Sequence, residues 1–167
     1  MRKSLLKALV ASAALLGSLD ARPCTNVIIS RGASTDGSVL VSYAADSHTI
    51  YGELYYKPAK DWRKGSQIQI FDWDTQRPLA QIPQMAHTYQ TVGNMNEFQL
   101  IITETTWGGR PELEDKTGGI DYGSLIYITL QRAKTAREAI DVIVKLANEY
   151  GYASEGETFS IADKNEA

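Results

Sequence analysis

Cysteine and histidine are almost missing from this sequence. Its 167 residues contain one cysteine, Cys24, and two histidines, His48 and His87. A single cysteine excludes a disulfide within the chain. The three side chains do not have the spacing of a metal site, so we expect no metal and no cofactor. No glycine-rich turn carries the glycine–lysine pattern of a phosphate-binding loop, which argues against a nucleotide-binding protein.

The sequence also lacks long apolar runs and an excess of positive charge. The formal net charge is −3, so there is no electrostatic reason to expect nucleic acid as a partner. The longest apolar run, ALVASAALLG, covers residues 8–17. A bilayer span needs about 20 apolar residues, so we expect no stable membrane anchor. Length and composition predict one globular domain and do not exclude a homo-oligomer.

The first residues have the parts of a secretory signal peptide. Basic residues precede the short apolar run and small residues follow it, which predicts a signal peptide over residues 1–21 with cleavage after Ala21. Arg22 and Pro23 then form a two-residue propeptide ahead of Cys24. A lipoprotein cysteine needs small residues directly before it, so this pair argues against a lipid anchor. We expect an exported protein, periplasmic or extracellular.

A lone cysteine in an exported chain has three interpretations. Cys24 could link two chains, could be a small buried hydrophobe, or could be a working thiol. A nucleophilic thiol needs a base. Neither His48 nor His87 lies in a recognisable cysteine-protease context, and we expect both at the surface or at a sheet edge. If processing makes Cys24 the first residue, its own α-amino group, with a pKa of about 7.7 to 8, can accept the thiol proton.

The pattern along the rest of the chain is β-rich and then helical. The segments TNVIIS and VLVSYAAD predict a hairpin over residues 25–46,. SQIQIFDWD is expected to pair with PLAQIPQ, and TYQTVGNMN with FQLIITETTW, with Gly93 and Asn94 close to the bend. DYGSLIYITLQRAK and TAREAIDVIVKLANEYG then predict two helices, and ETFSIAD predicts another strand. This order indicates an α+β arrangement with helices packed on a sheet face.

The second helix has the clearest signals. Thr135 and Glu138 have the spacing of a capping box, and Gly151 is expected to end the helix. The chain stops just after the last predicted strand, in SIADKNEA. We therefore expect the natural protein to continue past Ala167.

Two further features offer chemistry for acyl transfer. The segment GNMNE places Asn94 and Asn96 at a strand end, where an amide could stabilise an oxyanion, although turn chemistry explains them equally well. Asp46, at the end of the second strand, could orient a substrate amine or hold the Cys24 ammonium. It could equally be a turn aspartate.

These segments together resemble a dipeptidase family of N-terminal-nucleophile cysteine hydrolases related to the secernins. The resemblance is carried by CTNVIISRGASTDGSVLVSYAADSH, VGNMNEFQLIITETT and the helix pair around RAKTAREAI, and it covers nearly all of residues 24–167. It implies an αββα sandwich, of which residues 24–167 would be the N-terminal portion. It also implies amide hydrolysis through a thioester on the first residue of the mature chain.

The resemblance assigns roles by position. Cys24 matches the nucleophile, Asp46 the aspartate on the adjacent strand, and Asn96 the asparagine of the oxyanion hole. Tyr43 stands where relatives carry an arginine, so the fixed positive charge that would lower the thiol pKa is lost. With Asn94, Tyr43 is expected to contact substrate.

The expected function is an exported cysteine-type dipeptidase whose partner is a small peptide substrate. The same chemistry would serve an acylase acting on penicillin V or bile-salt amides. An alternative of another class is a non-catalytic exported binding domain.

Overall fold

The computed structural model describes residues 24–46 and 52–167. The predicted signal peptide and propeptide lie outside the described residues, and so does His48.

Short strands dominate the first two-thirds of the described chain, and two helices follow them. The strands are β1 (Thr25–Ile29), β2 (Leu40–Ala44), β3 (Tyr56–Lys57), β4 (Lys60–Asp61), β5 (Gln67–Phe71), β6 (Pro78–Pro83), β7 (His87–Thr88), β8 (Thr91–Val92), β9 (Met95–Asn96), β10 (Ile101–Gly108) and β11 (Gly156–Ala162). The helices are α1 (Tyr122–Leu130) and α2 (Ala136–Tyr150), with a 3₁₀ turn at Pro111–Leu113.

The largest sheet of the described chain is antiparallel and has the strand order β11–β10–β9–β8–β3, while β1–β2, β4–β7 and β5–β6 form separate pairs. The predicted hairpin is confirmed, with β1 and β2 in register from Thr25 opposite Ala44 onward. The predicted pairing of β5 with β6 is also confirmed. Gly93 and Asn94 form the two-residue turn between β8 and β9, where the positive φ of Gly93 suits the first position of a type II′ turn,.

One predicted strand begins later than its sequence indicates. FQLIITETTW predicts a strand from residue 98, but β10 begins at Ile101. Gln99 has a φ of 66°, and the Asn96 side-chain oxygen accepts hydrogen bonds from the main chain of Phe98 and Leu100. This local turn lets β10 return antiparallel to β9 at the pair Ile101 and Met95.

The helices cover part of the main sheet. One buried cluster joins the start of β10 to both helices, and a second joins the β5–β6 hairpin to them. The first comprises Leu100, Ile102, Ile126, Leu130, Ala133 and Ala139. The second comprises Ile70, Ile82, Ile120, Leu125, Ile128 and Leu146. Burial of these apolar side chains is the main term that holds the helices on the sheet.

The predicted helix ends are largely confirmed for α2. The Thr135 side chain accepts a hydrogen bond from the Glu138 amide, as a capping box requires,. Glu138 reaches back one residue further than predicted, to the Lys134 amide at 2.8 Å. Gly151 ends the helix with a φ of 76°. Helix α1 is shorter than predicted, because it ends at Leu130.

The described chain is therefore α+β, as predicted. The four-layer αββα arrangement stays a prediction. Among the described residues, none of the helices has the length and apolar character needed to cross a membrane.

Candidate active site

The site is built around Glu104, in the second half of β10. Strand alternation places Ile102 and Glu104 on the same face of the strand. Ile102 lies in the core beneath the helices, whereas Glu104 lies beyond their cover and points into a cleft. The residue is nevertheless only 2% exposed. A buried carboxylate needs hydrogen-bond donors or a positive partner, and the neighbouring hairpin supplies donors.

The β1–β2 hairpin brings Cys24 to this carboxylate. The Cys24 Sγ donates to Glu104 Oε1 at 3.1 Å. Two residues along β1, the Asn26 side-chain amide donates to the Glu104 carbonyl at 2.6 Å and to Thr105 Oγ1 at 2.5 Å. The Thr105 hydroxyl donates in turn to the Cys24 carbonyl at 3.4 Å. These contacts fix the start of β1 against the middle of β10, so the position of the thiol is set by main-chain anchoring.

Tyr43 supplies the second donor. It lies opposite Asn26 in the hairpin register, and its hydroxyl donates to the same Glu104 oxygen that accepts from Cys24. Burial and the adjacent Glu104 carboxylate raise the pKa of the Tyr43 hydroxyl well above its ordinary value. Tyr43 therefore acts as a neutral hydrogen-bond donor at neutral pH.

A second carboxyl group, Glu157 on β11, lies on the other side of Glu104. Thr106 is directly opposite Glu157 in the β10–β11 register. The Thr106 hydroxyl is 2.9 Å from Glu157 Oε2 and 3.3 Å from Glu104 Oε2. Burial and the neighbouring Glu104 raise the pKa of the Glu157 carboxyl to about 8, so this group carries its proton at neutral pH.

The surroundings of Cys24 disfavour its thiolate. Burial is the main cause that raises the pKa of the Cys24 thiol, and the Glu104 carboxylate raises it further,. The main-chain N–H of Asp46 and the Tyr43 hydroxyl act in the opposite direction, but more weakly. Cys24 is thus a protonated thiol at neutral pH and needs a proton acceptor before it can attack a substrate.

A cleft of about 990 Å³ extends from these residues. Aromatic rings form part of its wall, where Trp73 stacks on Tyr127 with 4.9 Å between ring centroids and Tyr55 meets Trp73 edge-on at 5.8 Å. Asp121 holds this wall by capping α1 and by accepting a hydrogen bond from the Trp73 amide at 2.8 Å. The start of α1 therefore positions both the helix and the aromatic wall.

The lining of the cleft is strongly acidic. Eight of its side chains are carboxylic acids, and none of the described lining residues is lysine, arginine or histidine. The acidic residues are Asp46, Glu53, Asp72, Asp74, Glu104, Glu114, Glu155 and Glu157. Such a cleft attracts cations and repels anions. In the described ranges, 24–46 and 52–167, no group of three or more His, Cys, Asp and Glu side chains could hold a metal ion.

Comparison with known proteins indicates a peptidase. The family model "Peptidase family C69" matches residues 55–167. The chain belongs to peptidase family C69. It is also 25% identical over 160 residues to a curated protein of Streptococcus pyogenes serotype M1, "Probable dipeptidase B". That match covers 85% of this chain but only 31% of the relative, so the chain spans about a third of that protein's length.

Most of the site residues predicted from the sequence meet in the cleft. Cys24, Tyr43, Asp46 and Asn94 all line it. The side-chain amide of Asn94 donates to the Ile102 carbonyl at 2.8 Å.

Asn96 is the exception, because the structure does not bring it to the cleft. It is 4% exposed, and its side-chain nitrogen donates to the Leu130 and Ala133 carbonyls at 2.7 and 2.8 Å. Its main-chain N–H donates to the Leu100 carbonyl. Both side-chain hydrogens are thus used to satisfy carbonyls at the end of α1. The geometry gives no support for Asn96 as the oxyanion donor.

The other candidate base on the described chain is also remote from the thiol. His87 lies on β7, where its Nδ1 is 2.7 Å from Asp61 Oδ1 on the neighbouring strand β4. The side chain is about half exposed and does not line the cleft. The interpretation of His87 as a surface residue at a sheet edge is confirmed.

Sequence reasoning missed Glu104 and Glu157 as site residues. Glu104 does leave a signal, because it is the one charged residue in the strand IITETTWG. An acidic side chain on the same face as the buried Ile102 must find a partner. Its partner is Cys24, 80 residues earlier in the chain, and local patterns do not reveal that contact.

Proposed function

We propose that this C69 chain carries the nucleophile of an exported cysteine-type dipeptidase. In this proposal the Cys24 thiol attacks the amide carbonyl of a dipeptide or short peptide and forms a thioester, which water then hydrolyses. The observation that carries the proposal is the position of the chain's single thiol, in the lining of an acidic cleft and 3.1 Å from a buried carboxylate. The matched relative "Probable dipeptidase B" supports the dipeptide substrate.

The charge of the cleft favours a substrate with a free amino group. A dipeptide brings an α-ammonium, and carboxylates can hold it through charge-assisted hydrogen bonds. Asp46 is well placed for this role, since it lines the cleft and its main-chain N–H faces the Cys24 sulfur. Penicillin V and conjugated bile salts carry a negative charge and no ammonium, so the same cleft disfavours the acylase alternative.

The oxyanion of the tetrahedral intermediate needs a donor. Asn94 lines the cleft, whereas Asn96 does not. A side-chain amide has two hydrogens, and only one Asn94 hydrogen is needed for its bond to the Ile102 carbonyl,. We assign the second hydrogen to the oxyanion. Asn96 then supports the site indirectly, because it shapes the turn that leads into β10.

The mature chain is proposed to begin at Cys24 after export. Cleavage between Pro23 and Cys24 would expose the α-amino group next to the sulfur, where it can accept the thiol proton. Intact-mass measurement of the purified protein shows where the mature chain begins.

A substrate panel with a nucleophile variant tests the proposal. The panel contains alanyl-alanine, its N-acetylated form, penicillin V and a glycine-conjugated bile salt, each tested with wild type and with Cys24→Ser. We expect hydrolysis of the free dipeptide and loss of at least about 100-fold on acetylation, because the ammonium is removed. Cys24→Ser should reduce dipeptide turnover by about 1,000-fold or more. Ser42→Ala, on the exposed side of the same hairpin, is the matched control and should keep wild-type turnover.

Three results would contradict the proposal in different ways. Unchanged turnover in Cys24→Ser would exclude the thioester mechanism. Hydrolysis of penicillin V or the bile salt without dipeptide turnover would establish an acylase. No hydrolysis of any substrate by the folded natural full-length protein would favour the non-catalytic binding domain.

A further inference from the structure

The mechanism leaves one buried group without a role. Glu104 is 2% exposed and accepts hydrogen bonds from Cys24 and Tyr43 on a single oxygen, Oε1. An ionised carboxylate only accepts hydrogen bonds, so these two donors show that Oε1 acts as an acceptor. A carboxylate oxygen 3.1 Å from the nucleophilic sulfur is within reach of direct proton transfer,.

The second oxygen, Oε2, connects Glu104 to another carboxyl group through a hydroxyl. Thr106 Oγ1 lies 3.3 Å from Glu104 Oε2 and 2.9 Å from Glu157 Oε2. A hydroxyl has one hydrogen to donate, so it cannot serve two carboxylates at once. If Glu157 is protonated, it donates to Thr106, and Thr106 donates to Glu104. The contact geometry is therefore satisfied when the two carboxyl groups share one proton, and the raised pKa of the Glu157 carboxyl assigns that proton to Glu157.

We propose that Glu104 is the proton acceptor for the Cys24 thiol and that Glu157, through Thr106, keeps Glu104 in its accepting form. This inference rests on the proposed function and deepens it, because it gives the thiol a base that is already in place when Cys24 still follows Pro23. The α-amino group is the competing base. It becomes available only after the Pro23–Cys24 bond is cut.

The proton and the bonds balance over both half-reactions. The S–H proton moves to Glu104 Oε1 as sulfur bonds to the carbonyl carbon and the π pair moves to oxygen. Collapse of the intermediate breaks the C–N bond, and the leaving amine takes the proton from Glu104. Water then gives a proton to Glu104 and its oxygen to the thioester carbon. Breaking the C–S bond returns that proton to sulfur.

Other ionisable groups also face Glu104. The hairpin contributes Cys24 and Tyr43, and β11 contributes Glu157. The remaining ones that interact electrostatically with Glu104 are Asp74, Tyr122 and Tyr152. No lysine, arginine or histidine of the described lining offsets them.

The test combines two measurements on Glu104→Gln. The first is alkylation of Cys24 by iodoacetamide from pH 6 to 10, which needs no substrate and reports one site because the chain has one cysteine. The second is kcat/KM for alanyl-alanine. Removing the carboxylate removes a cause of the raised thiol pKa, so alkylation at pH 7 should become about tenfold faster,. Removing the base should lower kcat/KM by at least about 100-fold.

Slower hydrolysis together with a pH profile of alkylation shifted to lower pH separates a base from a merely structural role, because greater exposure of the sulfur would raise the alkylation rate at every pH without shifting the profile. Glu104→Asp keeps the charge but withdraws the oxygen, so it should slow hydrolysis and should accelerate alkylation less than Glu104→Gln does, because the negative charge still raises the pKa of the thiol. It also serves as the second variant if Glu104→Gln does not fold. Glu149→Gln, an exposed carboxylate on α2, is the matched control and should change neither measurement.

The remaining outcomes overturn the inference. Faster alkylation with unchanged or higher kcat/KM would make the α-amino group the base. Unchanged values in both measurements would mean that Glu104 does not act on the thiol. If the wild type hydrolyses no dipeptide, the proposed function fails and the alkylation profile alone decides. An unchanged alkylation profile of Glu104→Gln would then show that Glu104 does not act on the thiol and would overturn the inference, whereas faster alkylation would support it.

Discussion

The two halves of β10 make opposite use of the same strand face. Ile102, in the first half, packs beneath both helices with Leu100 and Leu130 and has no exposed surface. Glu104, two residues later, is equally buried but faces a thiol, a phenol and a second carboxyl group. Apolar burial stabilises the first half. Crowded carboxyl groups destabilise the second half, as is common where a site is kept for function.

Helix α1 belongs to both regions and marks the boundary between them. Its later residues join the core, while its first residues line the cleft. Gly123 is needed at this boundary, because a Cβ there would lie 2.7 Å from Cγ of Trp73. Ile126, which is 4% exposed, lines the cleft and also packs in the core cluster. The apolar core thus supports a polar site whose buried carboxyl groups lower the stability of the fold.

If the first region depends on apolar burial, deleting a core side chain should give the largest loss of stability. Leu130→Ala removes a fully buried side chain from the cluster around Ile102. We expect the free energy of unfolding to fall by about 3 kcal/mol or more, because the transfer energy is lost and a cavity remains. Urea unfolding followed by circular dichroism measures it.

The matched control for this prediction is Leu113→Ala. Leu113 is 71% exposed in the 3₁₀ turn, so its removal should change the unfolding free energy by no more than about 0.5 kcal/mol. Similar losses for the two leucines would show that the helices are not held on the sheet by the cluster.

Substitution of the two asparagines of GNMNE should affect the core half and the site half of β10 differently. Asn96→Ala removes an amide that makes four hydrogen bonds in the core, leaving the Leu130 and Ala133 carbonyls without this donor. We expect a loss of about 2 to 3 kcal/mol in unfolding free energy, since buried unsatisfied groups are costly. Alkylation of Cys24 should remain at the wild-type rate, because Asn96 does not line the cleft.

Asn94→Ala is the matched variant for Asn96→Ala. It should affect stability little and activity strongly. It removes one side-chain hydrogen bond, to the Ile102 carbonyl, so we expect a loss of only about 1 kcal/mol. It should lower kcat for dipeptide hydrolysis by about 100-fold, the size of effect seen when an oxyanion donor is removed. A variant Asn96→Ala that folds normally but loses activity would return the oxyanion role to Asn96.

The sequence was sufficient for the features that depend on neighbouring residues. Alternation and turn residues predicted the β1–β2 hairpin and the β5–β6 pair, and the Thr135 cap and Gly151 predicted both ends of α2. It was insufficient where the contacts of a residue are made with a segment distant in the chain. The family resemblance predicts Asn96 as the oxyanion donor, but the end of α1, more than 30 residues later, takes up its amide.

The same limitation applies to the thiol and its carboxylate. Cys24 was identified from its uniqueness and its position behind a predicted export signal. Glu104 was not, because its partner lies 80 residues away. The resemblance to an arginine-bearing family drew attention to Tyr43, and the structure places that side chain on Glu104. The sequence does show a charged residue on the buried face of a strand. Which side chain it contacts becomes clear only from the fold.

The last expected effect has the opposite sign, because the substitution stabilises the protein once the pH rises above the ordinary pKa of a carboxyl group. Burial and Glu104 raise the pKa of Glu157 to about 8. A raised carboxyl pKa means that the folded state binds the proton more tightly than the unfolded state does. Stability therefore falls as pH rises from the unfolded pKa of about 4.3 to the folded value, and it stays reduced above that. Glu157→Gln is neutral throughout and avoids this loss.

We therefore expect Glu157→Gln to be about as stable as wild type at pH 4 and more stable at pH 9, by about 1 to 2 kcal/mol after allowance for solvent screening. Thermal unfolding at the two pH values measures the difference. Glu149→Gln controls for the loss of one exposed carboxylate elsewhere. A stability difference that does not change between pH 4 and pH 9 would mean that the two carboxyl groups do not repel each other in the folded protein. Glu157 would then be no more costly to stability than an ordinary residue of the main sheet, and the contrast between the two halves of β10 would rest on Glu104 alone.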